Sequence, residues 1–223
     1  KQRRIFHFFT RKDVMNMKVL LLNGSPHEKG CTHTALAEVA GELERLGIET
    51  QEIWVGNKPI RSCLGCGQCS ATKRCVFTED RVNECVEALA QADGFVVGAP
   101  VHYAGPAGAC TAFLDRVFYG KSSLFAHKPA AAVVSCRRGG ASASFDRLNK
   151  YFTISSMPVV SSQYWNSVHG NTPEQVRQDL EGLQTMRTLA RNMAWLLQSI
   201  EAGKAAGVAQ PEREPRVSTN FIR

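Results

Sequence analysis

The stretch Lys18 to Thr34, KVLLLNGSPHEKGCTHT, limits what this chain can fold into more than any other. Val19 to Leu22 is a short, unbroken apolar run, and Asn23-Gly24-Ser25-Pro26 ends it. An apolar run without alternation, bounded by turn residues, predicts a parallel strand covered on both faces. The polar loop that follows carries hydroxyls and ends at Gly30, and Thr32 opens a helical stretch, THTALAEVAGELERLG. Strand, polar loop and helix in that order aim loop amides, Ser and Thr hydroxyls and the positive end of a helix at one point, which suits a phosphate. The loop has neither the Gly-Lys-Ser/Thr ending of a Walker A motif nor a GxGxxG pattern.

The alternation continues along the chain. Gly47 stops the first helix, and Ile48 to Val55, apolar at nearly every second position, predicts an edge strand. Val82, Cys85, Val86 and Leu89 fall on one face of a helix, and Phe95 to Val97 is a buried strand ending in Gly98-Ala99-Pro100. Pro106 to Tyr119 predicts a helix, Ala130 to Val134 a buried strand, Ala141 to Thr153 a helix, and Pro158-Val159-Val160 a last short strand. Thr172-Pro173 is a capped helix start, and that helix is expected to run to about Glu201. Strand and helix alternating in this way predict a doubly wound parallel sheet with right-handed crossovers, formed by residues 17–201 as one domain. The tail 202–223, with Gly203, Gly207, Pro211 and Pro215, reads as an extended surface segment.

Ligands of such sheets sit at the carboxyl ends of the strands, near the switch in strand order. Three loops rich in Gly, Pro, Ser or Thr follow strand ends there: Asn23 to Thr32, Pro100 to Gly105, and Ser135 to Gly140. A phosphate loop with two further loops converging on it accommodates a mononucleotide bearing a flat ring.

Hydrophobic residues make up 43% of the 223, enough for a large core. No apolar run approaches the roughly 20 residues that span a bilayer, so no membrane partner is expected. The start, KQRRIFHFFTRKDVMN, is basic and aromatic. Its apolar part is too short and interrupted for a signal peptide, so residues 1–16 read as an extension or expression remnant ahead of Met17, or else as an arm against a partner subunit. The net charge of +7 is scattered and accompanies no nucleic-acid motif, so it points to solubility and attraction of anionic small molecules, not to nucleic acid. Cys31, Cys85, Cys110 and Cys136 are dispersed among apolar or helical residues and read as reduced thiols of a cytoplasmic protein.

With these residues in hand, the chain resembles a known family. Asn23-Gly24-Ser25-Pro26 with Gly30 and Thr32, and Ala99-Pro100-Val101-His102-Tyr103 leading to Phe113-Leu114-Asp115-Arg116, are similar to the flavodoxin-like NAD(P)H-dependent FMN reductases. Cys63-Leu64-Gly65-Cys66-Gly67-Gln68-Cys69, followed by Cys75, resembles the branch that includes the iron–sulfur flavoproteins. The resemblance covers roughly Met17 to Ile200. It implies a flavodoxin-like α/β fold: a five-stranded parallel sheet in the order 2-1-3-4-5, with helices on both faces.

It also implies non-covalent FMN. The phosphate would be held by Ser25, Thr32 and loop amides, with His27 and Thr34 nearby. The ring would lie against Pro100, Val101, His102, Tyr103 and Gly105 from one loop, and Ser135, Arg137, Arg138, Gly139 and Gly140 from another. The family often has Arg where this chain has His27, and Asn where it has Cys31. A histidine is charged only part of the time near neutral pH, so phosphate neutralisation leans on the helix terminus, the amides and Lys29.

Each motif also has a plainer reading. Ser25, Thr32 and Thr34 can be helix-capping or turn hydroxyls, and Gly139-Gly140 an ordinary turn. His102-Tyr103 can be a packed aromatic pair. Arg137 or Arg138 can face the reduced ring, a nicotinamide cofactor's phosphate, or water. Trp165 reads as core or subunit interface, and Asp115-Arg116 as a structural ion pair or cap. The four clustered cysteines can ligate a [4Fe–4S] cluster, with Gly65 and Gly67 letting the backbone fold around it; the plainer reading is a reduced, empty loop. Zinc fits less well, because structural zinc sites space two ligand pairs further apart.

The function expected is an oxidoreductase in which FMN carries electrons from NAD(P)H to a small acceptor (quinone, nitro or azo compound, or free flavin) in ping-pong order. No catalytic side chain is required. The alternative is an iron–sulfur flavoprotein fed by ferredoxin, and a third is a flavin-binding regulatory module. A homodimer or homotetramer is expected.

Overall fold

The computed structural model describes residues 17–215, 217–219 and 221; the expected extension at 1–16 lies outside them. The first strand, β1 (Lys18–Asn23), is buried from Val19 onward. Val19 and Leu21 face one side of the sheet, with α1 (Cys31–Arg45) and the C-terminal helix, while Leu20 and Leu22 face the other. That two-sided burial is why the run shows no alternation.

The next elements are β2 (Glu49–Trp54), a short helix α2 (Gln68–Thr72), α3 (Val82–Gln91), β3 (Gly94–His102), a two-residue β4 (Gly105–Pro106), and α4 (Gly108–Phe118). Then follow β5 (Ala130–Cys136), α5 (Ala141–Thr153), β6 (Ser167–His169), α6 (Pro173–Gln178) and α7 (Leu180–Ala205). The parallel strands are ordered β2-β1-β3-β5-β6, with β4 hooked antiparallel onto β3. This is the expected flavodoxin-like order, and it places the switch between β1 and β3. The face bearing α3, α4 and α5 holds an aromatic cluster in which Phe118 meets Phe95, Phe125, Tyr151 and Phe152.

Three local expectations are corrected. Pro158-Val160 is not the fifth strand; Val159 makes only an isolated parallel bridge to Ala130, and the strand proper is Ser167–His169. Both segments lie along β5. Between them the chain leaves the sheet, and Asn166 keeps the ladder satisfied: its side-chain amide donates to the Ala132 carbonyl at 3.1 Å, and its own carbonyl accepts from the Val134 N–H at 2.9 Å.

The helix opened by Pro173 breaks at Asp179, whose carboxylate accepts from the Gly182 N–H at 2.9 Å and so caps a new helix. That helix ends at Ala205, beyond the expected boundary at 201. Thirdly, Asp115 and Arg116 do not pair with each other. Asp115 meets Arg147 and Tyr151, whereas Arg116 turns into the core and pairs with Asp80. Among the described residues, no helix is long and apolar enough to cross a membrane.

Candidate functional site

The loop between β1 and α1 is shaped by Asn23. Its side chain donates to the Glu28 carbonyl at 2.9 Å and to Glu52 at 3.0 Å, and it accepts from the Ser25 N–H at 3.2 Å. Trp54, at the end of β2, donates its indole N–H to the Ser25 carbonyl at 2.7 Å. The His33 ring also meets Glu52, at 2.9 Å. Both termini of the loop are thus fixed by side chains from the neighbouring strand.

Ser25 and Thr32 are buried, only 3% and 1% exposed. The Ser25 hydroxyl accepts from the His27 N–H at 3.1 Å. The N-cap of α1 is Gly30, which offers no side-chain cap, and the first turn contains no acidic residue. Thr34 returns its hydroxyl to the Gly30 carbonyl at 3.2 Å. The first N–H groups of α1 therefore meet no carboxylate of their own turn, which suits an anion. His27, Glu28 and Lys29 are exposed at the rim.

The other two loops come to the same end of the sheet. Thr32 and Ser135 join hydroxyls at 2.8 Å, and Gly24 donates its N–H to the Gly98 carbonyl at 2.8 Å. Tyr103 and Ala104 form the turn of the β3–β4 hairpin, both with left-handed φ, and Tyr103 projects fully into solvent. Gly140 has φ +88°, and a Cβ there would lie 2.7 Å from the Ala104 Cα and 2.8 Å from Val101 Cγ1. Its missing side chain is thus demanded by contact between the two loops. Gly139 has open space around it and, with Arg137 and Arg138, is exposed.

Cys136, at the end of β5, lies 3.3 Å from the His169 ring, and burial pushes its thiol pKa up. Cys31 in the first turn of α1 is likewise raised, mainly by burial. Neither is poised as a thiolate.

Residues 17–172 match the family described as NADPH-dependent FMN reductase. The chain belongs to that family. As an FMN reductase family member it is a flavin oxidoreductase with FMN as its cofactor, and the buried hydroxyls and uncapped helix fit the phosphate. The chain is 29% identical to an iron–sulfur flavoprotein of Methanocaldococcus jannaschii over 193 residues, 83% of this chain and 100% of that one. It is 28% identical to an iron–sulfur flavoprotein of Methanosarcina thermophila over 194 residues, 84% and 99% of the two chains. The flavodoxin, WrbA-like protein of Agrobacterium tumefaciens superposes with a TM-score of 0.58 at 15% identity, covering 82% of this chain and 98% of that one. That likeness is one of fold.

The clustered cysteines form a second centre. Cys63, Cys66, Cys69 and Cys75 all line one small cavity that opens to solvent. All four thiols are free. Residues Tyr119 to Lys121, just after α4, make one wall: the Cys69 thiol donates to the Tyr119 carbonyl at 2.9 Å. Gly120, with φ +68°, lets this wall close in, since a Cβ there would lie 2.9 Å from Cys69 Sγ. Arg116 donates its Nε–H to Cys75 Sγ at 3.2 Å while its guanidinium pairs with Asp80. Burial opposes the Arg116 cation, and the bonds to Asp80 and Cys75 outweigh it, so its pKa stays above the ordinary value.

Lys121 also lines the cavity, is fully buried, and has no hydrogen-bond partner for Nζ. Burial lowers its pKa, and the nearby Cys69, Cys75 and Cys63 pull the other way. Neither Arg116 nor Lys121 stands out in the sequence as part of this centre, because a lone basic residue near a helix end ordinarily faces water.

Proposed function

We propose that this chain is an FMN-dependent oxidoreductase whose Cys63, Cys66, Cys69 and Cys75 hold a [4Fe–4S] cluster, so that it handles electrons singly as well as in pairs. The observation that carries the reading is that all four cysteines line one cavity with two buried cations in its wall. Four cysteines close in sequence and lining one cavity are the donor set of a [4Fe–4S] cluster, whereas structural zinc sites usually space two ligand pairs further apart. The name shared by the relatives from Methanocaldococcus jannaschii and Methanosarcina thermophila supports the same reading.

When bound, FMN supplies exchange of a hydride or of single electrons, and a four-iron cluster supplies exchange of single electrons. The protein supplies binding and charge. Ser25, Thr32 and the N-terminal amides of α1 hold the phosphate, while the 100–105 and 135–140 loops position the ring. Cys63, Cys66, Cys69 and Cys75 are the iron ligands, and Arg116 hydrogen-bonds the Cys75 sulfur.

A second reading has NAD(P)H as the donor and a small quinone, nitro or azo compound, or free flavin, as the acceptor, in ping-pong order. Its support is the family's description as NADPH-dependent and the exposed Arg137 and Arg138, which would attract a nicotinamide cofactor's phosphates. In the first reading the donor is a one-electron protein such as ferredoxin. Exposed Tyr103, Tyr164 and Trp165 support assembly as a homodimer or homotetramer.

Anaerobic purification, an absorption spectrum, and assays of FMN, iron and acid-labile sulfide test this function. Bound FMN with iron and sulfide in equal amounts, lost when Cys69 and Cys75 are changed to Ser, is the expected result. Rapid bleaching of the flavin by NADPH favours the second reading, and bleaching only by reduced ferredoxin the first. A colourless protein that cannot be reconstituted with FMN overturns both.

A further inference from the structure

Among the described residues, Lys121 lines the cysteine cavity with an Nζ that has no hydrogen-bond partner. Arg116 is equally buried, but Asp80 neutralises it and the Arg61 and Phe77 carbonyls accept from it. Among the described residues, the buried Lys121 Nζ has no hydrogen-bond acceptor and no carboxylate partner. Burying an unpaired ammonium is costly unless something anionic offsets it. Cys63, Cys66, Cys69 and Cys75 line the same cavity, together with the already neutralised Arg116, and the wall carrying Lys121 accepts from the Cys69 thiol through the Tyr119 carbonyl, with Gly120 keeping that wall close. A [4Fe–4S] cluster with four thiolate ligands is an anion in its oxidised state and carries one more negative charge when reduced.

We infer that Lys121 is a buried counter-charge for an iron–sulfur cluster in the Cys63–Cys75 cavity, favouring its reduced form and so raising its reduction potential. The inference rests on the cluster proposed above. Net charge and burial are among the factors that set the potential of such clusters. A cation with no other partner stabilises the more negative state more, and because Lys121 itself is fully buried, salt screens it less than it would a surface charge. Lys121 touches neither flavin nor substrate in this account; it acts through the cluster as a positioning residue for charge.

The test compares wild type with Lys121→Met, Lys121→Gln and Lys121→Arg, each purified anaerobically with its FMN. Iron, sulfide and FMN are counted, and the cluster's midpoint potential is measured by dithionite titration with mediator dyes. Full FMN content in each variant establishes that it folds.

The expected result is a lower potential in the Met and Gln variants, with reduction by a fixed one-electron donor roughly tenfold less favourable, which is about 59 mV. Lys121→Arg should stay near wild type. Loss of iron from the Met and Gln variants but not from Arg, with FMN retained, also supports the inference, since only charge distinguishes the groups. Unchanged potential in the Met or Gln variant with full iron overturns it, and so does loss of iron from all three. A wild-type protein that takes up no iron or sulfide overturns the cluster reading as well, so the two failures are distinguishable.

Discussion

The hydroxyls of Thr32 and Ser135 meet at 2.8 Å, joining the first turn of α1 to the end of β5 across the carboxyl edge of the sheet. Both residues are buried. Thr32 lies in the first turn of α1, whose Gly30 N-cap offers no side-chain cap, and Ser25 is buried in the loop that leads into that turn. Replacing Ser25 and Thr32 with Ala should therefore weaken FMN binding, by roughly ten- to hundredfold for each hydroxyl that donates to the phosphate. Fluorescence titration of the deflavinated protein measures this. Unchanged affinity in the double variant would mean that the phosphate lies elsewhere.

Gly140 is held at φ +88° against Ala104 and Val101. Alanine there meets backbone on one side and a strained conformation on the other, so the 135–140 loop and the β3–β4 hairpin must part. Gly140→Ala should lower stability by about 1–2 kcal/mol and weaken FMN binding with it. Gly139→Ala, with nothing near the added methyl, should leave stability within about 0.5 kcal/mol. If it nonetheless weakens FMN binding, Gly139 is the glycine that the ring needs. Urea denaturation of the flavin-free proteins and flavin titration together separate the two effects.

Arg116 and Asp80 pair across 36 positions of sequence with both side chains largely shielded. Removing one partner leaves an uncompensated buried charge. Asp80→Asn should therefore cost about 3–5 kcal/mol. Asp115→Asn is the contrast: its pair with Arg147 is 43% exposed on both sides, and the loss should stay below about 1 kcal/mol. Equal losses in chemical denaturation would contradict the placement of Arg116 in the core.

Much of the fold was legible because its signals are local. Val19 to Leu22 shows two-sided burial in its composition, and Ala141 to Thr153 is a helix at the expected residues. The three loops at the carboxyl edge were also visible, since Gly, Pro, Ser and Thr mark them whatever the tertiary contacts. What periodicity could not show was the split fifth position of the sheet, where polar Asn166 satisfies the ladder in place of a strand residue. Nor could it show the break at Asp179, because the apolar pattern continues through it while the carboxylate caps a new helix and also accepts from the His169 N–H at 2.7 Å. Arg116 and Lys121 were hidden for another reason. Their burial depends on Asp80 and on cysteines far along the chain, and such partnerships leave no trace in local spacing.

Alkaline pH should expose the thiols of the core. Cys110 is fully buried, and burial pushes its pKa from 9.0 up to about 12; Cys85 is raised for the same reason. Above about pH 9 the unfolded chain releases these protons while the native protein keeps them. The native state then binds more protons than the unfolded one, so stability falls as pH rises. Each such thiol steepens the fall by up to roughly 1.4 kcal/mol per pH unit, until the native thiol itself ionises. Cys110→Ala removes one proton from this balance. It should lower stability at neutral pH by a constant amount for the lost packing, and flatten the decline between pH 9.0 and about 12 relative to wild type. Urea unfolding at a series of alkaline pH values gives both curves, and curves that stay parallel would show that Cys110 ionises in the native protein as readily as in the unfolded chain.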